Sequence, residues 1–229
     1  MKIVGAMRLH RCYSVVTPLT LPLLDDFCDE LIILREPGCD QRILDTVAAC
    51  KKVVCTVEYR LNPVFTDHFR QGVYWLAHEY QADWLVICDQ DEILPYDKLR
   101  GMLTTVNEKV IMFPFITCLG DVNTIVDPQL EQTGSHGRIY RGNDYEFHGQ
   151  DKRGFCVPAR YWAGNTYQSR YPTRHLRMLT PELQEIRRVH ACGKHHAVDP
   201  WVGTTPQTFP FKPDMTLWEY IAWTRAQKA

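Results

Sequence analysis

The stretch WLVICDQDEIL, residues 84–94, joins an apolar run to a cluster of acids. The run that ends at Cys88 is typical of a buried strand, whereas Asp89, Asp91 and Glu92 need water, hydrogen-bond donors or a cation. One Asp after a strand is a common turn residue, because its carboxylate accepts hydrogen bonds from nearby backbone N–H groups. Two acids at positions i and i+2 of an extended chain point to the same side, and a divalent cation relieves the repulsion between them. The stretch therefore indicates either a turn or a pair of metal ligands.

The segments on either side of this stretch alternate between strand and helix patterns. Strands are predicted at 2–7, 29–34, 52–57, 83–89 and 109–115, and helices at 18–28, at 39–50, from Asn62 to about Tyr80, and at 95–107. This alternation predicts an α/β fold with a Rossmann-like, mostly parallel sheet that is flanked by helices. In such a sheet the ligand crevice lies beyond the carboxyl ends of the strands, which is where Asp89 and Asp91 are expected. The placement favours a ligand-binding function for the acids over a turn.

Length and composition restrict the class of protein. The 229 residues suit a single domain, and a net charge of −1 gives no general attraction to nucleic acid or membranes. No apolar stretch reaches the roughly 20 residues of a membrane helix, and residues 1–17 lack the apolar region of a signal peptide. The nine cysteines form no Cys-x-x-Cys pair, so we expect a reducing compartment and a cytoplasmic location. The chain has no Gly-x-Gly-x-x-Gly and no Gly-Lys-Ser/Thr, which argues against a dinucleotide dehydrogenase or a P-loop NTPase.

The first half of the chain carries a distinctive pattern in CDELIIL (28–34), in the order of the elements after it and above all in ADWLVICDQDEIL (82–94). In these stretches it resembles the nucleotide-binding half of GT-A glycosyltransferases, and among these most nearly the family 2 group. It implies one domain in which residues 1–120 bind a nucleotide sugar, while a less regular half, residues 121–229, binds the acceptor and closes the domain. The implied activity is transfer of a sugar from a nucleotide sugar, first of all a UDP-sugar, to an acceptor hydroxyl with inversion. The implied cofactor is Mn²⁺ or Mg²⁺, which would bridge the diphosphate.

The resemblance also implies a set of metal-binding residues. Asp89 would contact the nucleotide ribose or the metal, Asp91 would ligate the metal, and Glu92 would orient the pair. Enzymes of this type commonly take one more ligand, often a His, from the later half of the chain. His175 and His190 are the two candidates here.

Residues for the nucleotide follow from the same resemblance. Arg8 lies in the first turn, which would wrap the base. Glu36 and Asp40 stand in REPGCD, where relatives carry the acids of DDGS.D that contact the base. Arg70, on the long predicted helix, would approach the diphosphate or else be a solvated helix residue.

The second half has a basic and aromatic region between His136 and Met178. Its basic residues are Arg138, Arg141, Lys152, Arg153, Arg160, Arg170, Arg174 and Arg177. Arg binds phosphate and aromatic faces stack on sugars or bases, so the region would form the acceptor site, a diphosphate clamp or both, or else an irregular subdomain. An inverting transfer needs a general base, for which the candidates are Asp144, Glu146 and Asp151. Two further helices are predicted, one from Thr180 towards Gly193 and one over 214–227.

Two other functions are compatible with the same residues. Clustered acids also serve metal-dependent nucleases and phosphatases, although these need acids at further strand ends, where only Glu58 is present. A non-catalytic module that binds a glycan or a nucleic acid through the basic and aromatic region is the third possibility. For a transferase the acceptor stays open between a glycan, a lipid carrier, a protein and a hydroxylated base in DNA.

Overall fold

The computed structural model describes residues 1–58, 73, 77–128, 135–141, 165–185 and 206–228. The strands are β1 (Ile3–Leu9), β2 (Glu30–Arg35), β3 (Val53–Glu58), β4 (Trp84–Asp89), β5 (Glu92–Ile93), β6 (Val110–Leu119), β7 (Thr124–Val126), β8 (Ser135–Arg141), β9 (Thr166–Gln168), β10 (Thr173–Met178) and β11 (Thr208–Pro210). The helices are α1 (Thr17–Phe27), α2 (Gln41–Ala49), α3 (Tyr96–Thr105) and α4 (Leu217–Lys228).

The chain divides into two compact units, each made of several segments. The first unit comprises Met1–Gln90, Tyr96–Phe113 and Ser135–Ser169, and the second comprises Asp91–Pro95, Pro114–Gly134 and Arg170–Ala229. The expected division of labour between residues 1–120 and 121–229 concerns function and stays a prediction.

The first unit contains the predicted parallel sheet. Its strand order is β8–β4–β1–β2–β3, with β1 parallel to both β2 and β4, and β2 parallel to β3. The strand β8 is antiparallel to β4, and β9 lies parallel to the first residues of β6. The helix α1 packs against β1, β2 and α2. The predicted α/β fold, with a mostly parallel sheet flanked by helices, is therefore confirmed, and each of the five predicted strands is present.

The core of the first unit explains why its central strands are apolar at successive positions. Residues of β1, β2 and β4 are buried on both faces of the sheet, as expected for parallel strands covered by helices. Val73 and Ala77 are helical and pack on this cluster, in agreement with the predicted long helix, and Tyr80 is packed against it. The other residues predicted on that helical face, Phe65, Phe69 and Leu76, lie outside the described residues.

Gly5 of β1 lies against Leu24 of α1 and Cys28, which directly follows the helix. A Cβ atom at this position would lie 2.5 Å from Sγ of Cys28, 3.1 Å from Cδ1 of Leu31 and 3.2 Å from Cγ of Leu24. Cys28 is fully buried, and this burial raises the pKa of its thiol well above the ordinary value. Glycine at residue 5 therefore permits the close packing of α1 on β1.

The second unit has its own sheet and an aromatic cluster. The strand order is β5–β10–β6–β7–β11, in which β10 is antiparallel to β5 and parallel to the later residues of β6. On α4, Tyr220 stacks on Phe211 with ring centroids 5.8 Å apart, and Trp223 packs edge-on against Tyr220. The guanidinium of Arg174 lies 4.6 Å from the centroid of the Phe211 ring. Tyr220 is fully buried and Phe211 and Trp223 are partly buried, so these ring contacts add to the apolar core of this unit.

Of the two predicted C-terminal helices, the structure describes the start of the first and the full predicted range of the second. Residues 181–185 are helical, and Oγ1 of Thr180 accepts from the N–H of Leu183 at 3.3 Å, as expected of the predicted N-cap. The predicted end of this helix at Gly193 lies outside the described residues. The last helix begins at Leu217, later than the predicted Asp214, because Thr216 and Glu219 form a capping box with bonds of 3.3 and 2.6 Å.

No helix in the described part of the chain is long and apolar enough to cross a membrane. The seven cysteines that the structure describes are free thiols.

Candidate functional site

The carboxyl ends of β1, β2 and β4 bring several predicted residues to one edge of the first unit. Arg8 and Asp89 are register partners in the parallel pair of β1 and β4. Glu36 directly follows β2, whose neighbour is β1. This is the edge at which open parallel sheets bind ligands. Arg8, Glu36 and Asp89 lie at this edge, and their contact with a nucleotide stays a prediction.

Asp89 forms an ion pair with Arg138 of β8. Nη2 of Arg138 donates to Oδ2 of Asp89 at 2.7 Å, and 3% of the arginine side chain is exposed against 32% of the aspartate side chain. Guanidinium stays charged under all ordinary conditions and has no lone pair for a metal. The negative charge of Asp89 is therefore compensated within the protein.

His10 and Glu36 form a second polar pair at this edge. Nε2 of His10 lies 3.2 Å from Oε1 of Glu36, while Nδ1 of His10 accepts from the backbone N–H of Cys12 at 3.2 Å. Since Nδ1 accepts, Nε2 carries the proton and donates to the Glu36 carboxylate. The sequence predicted Glu36 as a base-contacting residue but gave no reason to single out His10.

Asp40 has a local structural contact. Its carboxylate caps α2 by accepting from the N–H of Ile43 at 3.0 Å, and the residue is exposed. An N-cap of this kind stabilises a helix by about 1 kcal/mol. The predicted contact of Asp40 with the nucleotide stays a prediction.

In the second unit, Asp91 is held against β10. Oδ2 of Asp91 lies 3.1 Å from Nε2 of His175, and the backbone carbonyl of Asp91 accepts from the N–H of Leu176 at 2.7 Å. His175 is the register partner of Glu92 in the antiparallel pair of β5 and β10, and its ring packs 5.4 Å from that of Phe115. Asp91 is 7% exposed and Glu92 1%. Of the two histidines predicted as a further ligand, His175 is thus next to Asp91.

The pair of Asp91 and His175 suits Mn²⁺ or Mg²⁺. Carboxylate oxygen is a preferred ligand of Mn²⁺ and Mg²⁺. Nε2 of His175 offers a nitrogen ligand in the tautomer that carries its proton on Nδ1. Within the described residues no group of three or more His, Cys, Asp and Glu side chains is placed to hold a metal. Mg²⁺ sites commonly use one or two carboxylates, with substrate phosphates and water as the remaining ligands, and Asp91 would be the carboxylate of such a site.

The remaining residues that the sequence predicted for the site are either not described or lie in other contacts. Arg70, Asp144, Glu146, Asp151 and His190 lie outside the described residues. Glu58, the acid on which a nuclease or phosphatase would depend, pairs with Arg35 at 3.4 Å, and about half of its side chain is exposed.

Comparison with known proteins was made at the level of sequence and of structure. No protein-family model matches the sequence, and no curated protein matches it significantly. Among solved structures, residues 1–349 of S. aureus TarS match with a TM-score of 0.51 at 14% identity, over 84% of this chain and 65% of that chain. The chain has a GT-A-like fold. At this identity the likeness to TarS concerns the fold, and it confirms the resemblance found in the sequence at that level.

Two further solved structures are among those that match. The complex of the same TarS fragment with UDP matches with a TM-score of 0.50 at 13% identity, again over 84% of this chain and 65% of that chain. HddC from Yersinia pseudotuberculosis matches with a TM-score of 0.42 at 14% identity, over 86% of this chain and 100% of that chain. The chain thus spans less than two thirds of the length of the TarS fragment.

Proposed function

We propose that the chain is a transferase that uses a nucleotide sugar, and more narrowly a glycosyltransferase that depends on Mn²⁺ or Mg²⁺. The observation that carries the proposal is the contact of Asp91 with His175, directly after β4 in a GT-A-like fold. A buried carboxylate next to an imidazole at this point of an α/β chain suits a divalent cation. That TarS has been solved with UDP supports a uridine nucleotide as the first ligand to test.

The two acids would have separate tasks. Asp91 and His175 would hold the cation, which when bound neutralises negative charge on the departing nucleoside diphosphate. Asp89 would accept a hydrogen bond from a ribose hydroxyl, with Arg138 keeping its carboxylate charged and oriented. Arg8, the register partner of Asp89, and Glu36 would contact the nucleotide at the edge of the sheet.

The acceptor side of the reaction rests on residues that stay predictions. Asp144, Glu146 or Asp151 would take the proton of the acceptor hydroxyl, and an inverting outcome follows if a single displacement occurs. The basic and aromatic region between residues 136 and 178 would bind the acceptor.

The proposal is tested by the melting temperature with Mn²⁺ and UDP. A ligand at about 100 times its Kd stabilises a fold by about 2.7 kcal/mol, and for a chain of this size each kcal/mol adds roughly 2–4 °C. Mn²⁺ with UDP should therefore raise the melting temperature by about 5–10 °C, and either one alone by much less. Asp91→Asn and His175→Gln should remove this shift, whereas Asp26→Asn, a change of an exposed acid on α1, should keep it. An unchanged shift in Asp91→Asn would contradict the proposal.

A product assay distinguishes the transferase from the other two functions. A nucleotide-sugar transferase releases free nucleoside diphosphate when it transfers its sugar to an acceptor or to water. Release of inorganic phosphate or of nucleotides from DNA, without nucleoside diphosphate, would instead identify a phosphatase or a nuclease. Binding of a glycan or nucleic acid with no product would identify a binding module.

A further inference from the structure

Gln90, the residue between Asp89 and Asp91, has a buried amide with specific hydrogen bonds. The residue is 4% exposed. Its Oε1 accepts from the backbone N–H of His10 at 2.7 Å. Its Nε2 donates to Oγ1 of Thr17 and, at 3.5 Å, to the carbonyl of Tyr13. All three partners belong to the segment that follows β1, which we call the β1–α1 segment, residues 10–20.

The main chain of Gln90 is bound to the same segment. Oγ1 of Thr20 donates to the carbonyl oxygen of Gln90 at 2.9 Å. Thr17 and Thr20 are both fully buried in α1. The Thr17 hydroxyl donates its proton to the carbonyl of Tyr13 at 2.9 Å, so its oxygen is the acceptor for the Gln90 amide. Side chain and main chain of one residue thus join the end of β4 to the start of α1.

The pattern of donors and acceptors requires an amide at residue 90. A backbone N–H faces Oε1 and a carbonyl oxygen faces Nε2, so the two ends of the amide are not interchangeable. A glutamate would place a carboxylate oxygen against the Tyr13 carbonyl, and the two acceptors would repel each other. A methionine has the same length but would leave the N–H of His10 without this acceptor. No substitution of similar size reproduces all of these bonds.

The contacts continue from Gln90 to the predicted nucleotide residues. The backbone of His10 donates to Gln90, and the side chain of His10 donates to Glu36. The peptide that follows Asp89 is therefore linked through His10 to the acid that follows β2. A residue that only filled space in the turn would not need these directed contacts.

We infer that Gln90 is a positioning residue, which fixes the peptide that follows Asp89 against the β1–α1 segment and so sets the geometry of nucleotide binding at the edge formed by β1, β2 and β4. The inference rests on the proposed function, because it takes the edge formed by β1, β2 and β4 as the nucleotide site. Gln90 would act through its neighbours and would not itself contact the substrate.

Binding of UDP with Mn²⁺, measured by calorimetry, tests the effect on the site. Loss of residues that orient metal ligands typically weakens binding by about 10- to 100-fold, and for Gln90, which orients the nucleotide edge, we expect an effect at the lower end, about tenfold weaker binding in Gln90→Met and Gln90→Glu. Thr17→Val removes one partner of the amide and should weaken binding less. In the double variant Gln90→Met/Thr17→Val the two effects should not add, because the bond is already lost in Gln90→Met.

The matched control is Leu99→Ala, which removes a fully buried side chain of α3 and lowers stability without touching this network. It should bind UDP with Mn²⁺ as the wild type does at temperatures where both are folded. In turnover, Gln90→Met should raise the KM for the nucleotide sugar and leave the KM for the acceptor unchanged. A merely structural role would lower the folded fraction and hence kcat alone. Wild-type affinity and wild-type KM in Gln90→Met would overturn the inference.

Amide hydrogen exchange tests the link without relying on any ligand. Exchange in residues 10–16 and 89–92 should be faster in Gln90→Met than in the wild type, and unchanged there in Leu99→Ala. Absence of nucleotide binding in the wild-type protein would refute the proposed function, and with it the role of Gln90 at a nucleotide site. Unchanged exchange in Gln90→Met would refute the link itself, whatever the wild type binds.

Discussion

Asp89 and Asp91 are separated by one residue, and yet their carboxylates have partners of different chemistry. In the first unit Asp89 faces the guanidinium of Arg138, and in the second unit Asp91 faces the imidazole of His175. Guanidinium carries a permanent charge and offers donors alone, whereas a neutral imidazole with its proton on Nδ1 has a lone pair on Nε2 that it can donate to a metal. Two acids that are equivalent in the sequence motif therefore differ in what they can bind.

This difference assigns a compensated charge to Asp89 and metal ligation to Asp91. Asp89 already has a cation within the protein, so its carboxylate suits neutral donors such as hydroxyl groups. Asp91 together with His175 presents one oxygen and one nitrogen ligand, which suits a divalent cation. The following predictions test this distinction, from the largest expected effect to the smallest.

The largest effect is expected on catalysis through the metal. Asp91→Asn and His175→Gln should each lower sugar transfer by about 100- to 1000-fold, since stabilisation of the departing diphosphate is lost. Both should also weaken binding of Mn²⁺ alone, measured by calorimetry, whereas Asp89→Asn should leave it near the wild-type value. Equal loss of Mn²⁺ binding in Asp89→Asn and Asp91→Asn would show that the two acids share one role.

The ion pair of Asp89 and Arg138 should be asymmetric in its effect on stability. Asp89→Asn leaves a guanidinium that is 3% exposed without its carboxylate. Removal of one partner from a buried pair costs about 3–5 kcal/mol, and since a third of Asp89 is exposed we expect about 2–3 kcal/mol here. Arg138→Met leaves a carboxylate that water still reaches, at a cost of about 1 kcal/mol. Urea unfolding of the two variants measures the difference, and the reverse order would contradict the role of burial.

Alkaline pH should affect the second unit through Tyr220. Burial raises the pKa of Tyr220 to about 12, above the value of about 10 for an unfolded chain. The folded state thus holds this proton more tightly, and the stability it contributes is complete below about pH 10 and is lost as the pH rises towards 12. Near-ultraviolet circular dichroism of the Phe211, Tyr220 and Trp223 cluster should follow this loss. Tyr220→Phe should remove the transition, and a transition that persists in this variant would have another cause.

The smallest effect is expected in the α4 capping box, where a substitution should lower stability and leave ligand binding unchanged. Thr216→Ala removes a side chain of the α4 capping box and should cost about 1 kcal/mol, or roughly 2–4 °C in melting temperature. The increment in melting temperature given by Mn²⁺ with UDP should stay as in the wild type. Thr216→Ser keeps the hydroxyl and serves as the control. A smaller increment in Thr216→Ala than in Thr216→Ser would connect this helix to ligand binding.

The sequence predicted the parallel sheet because the signals for it are local. Apolar runs such as 31–34 and 85–88 mark strands that are buried on both faces, and spacing within 39–50 marks a helix. The boundaries differ by a few residues, since capping decides where a helix begins. At α4 both Asp214 and Thr216 are suitable caps, and the reciprocal bond of Glu219 to Thr216 selects the second.

The candidate site was less predictable, because its contacts join distant parts of the chain. In the sequence, nothing distinguishes Arg138 from the seven other basic residues of its region. The antiparallel pairing of β8 with β4 brings it to Asp89, which is 49 residues away. In the sequence, His175 and His190 are equal candidates for a further metal ligand. The register of β10 with β5 places His175 beside Asp91. Strand pairing over such separations leaves no periodic trace in either segment, so composition alone did not single out these partners.

The packing of Gly5 against Cys28 has a consequence for observing the protein in solution. The thiol lies in the layer between β1 and α1, where even one added carbon atom would collide with it. Its pKa is raised by burial, so reagents that need the thiolate react with it once α1 has moved away from the sheet. The rate at which Cys28 is alkylated therefore reports how often this layer opens, and the thiol is a probe of local unfolding that requires no engineered label.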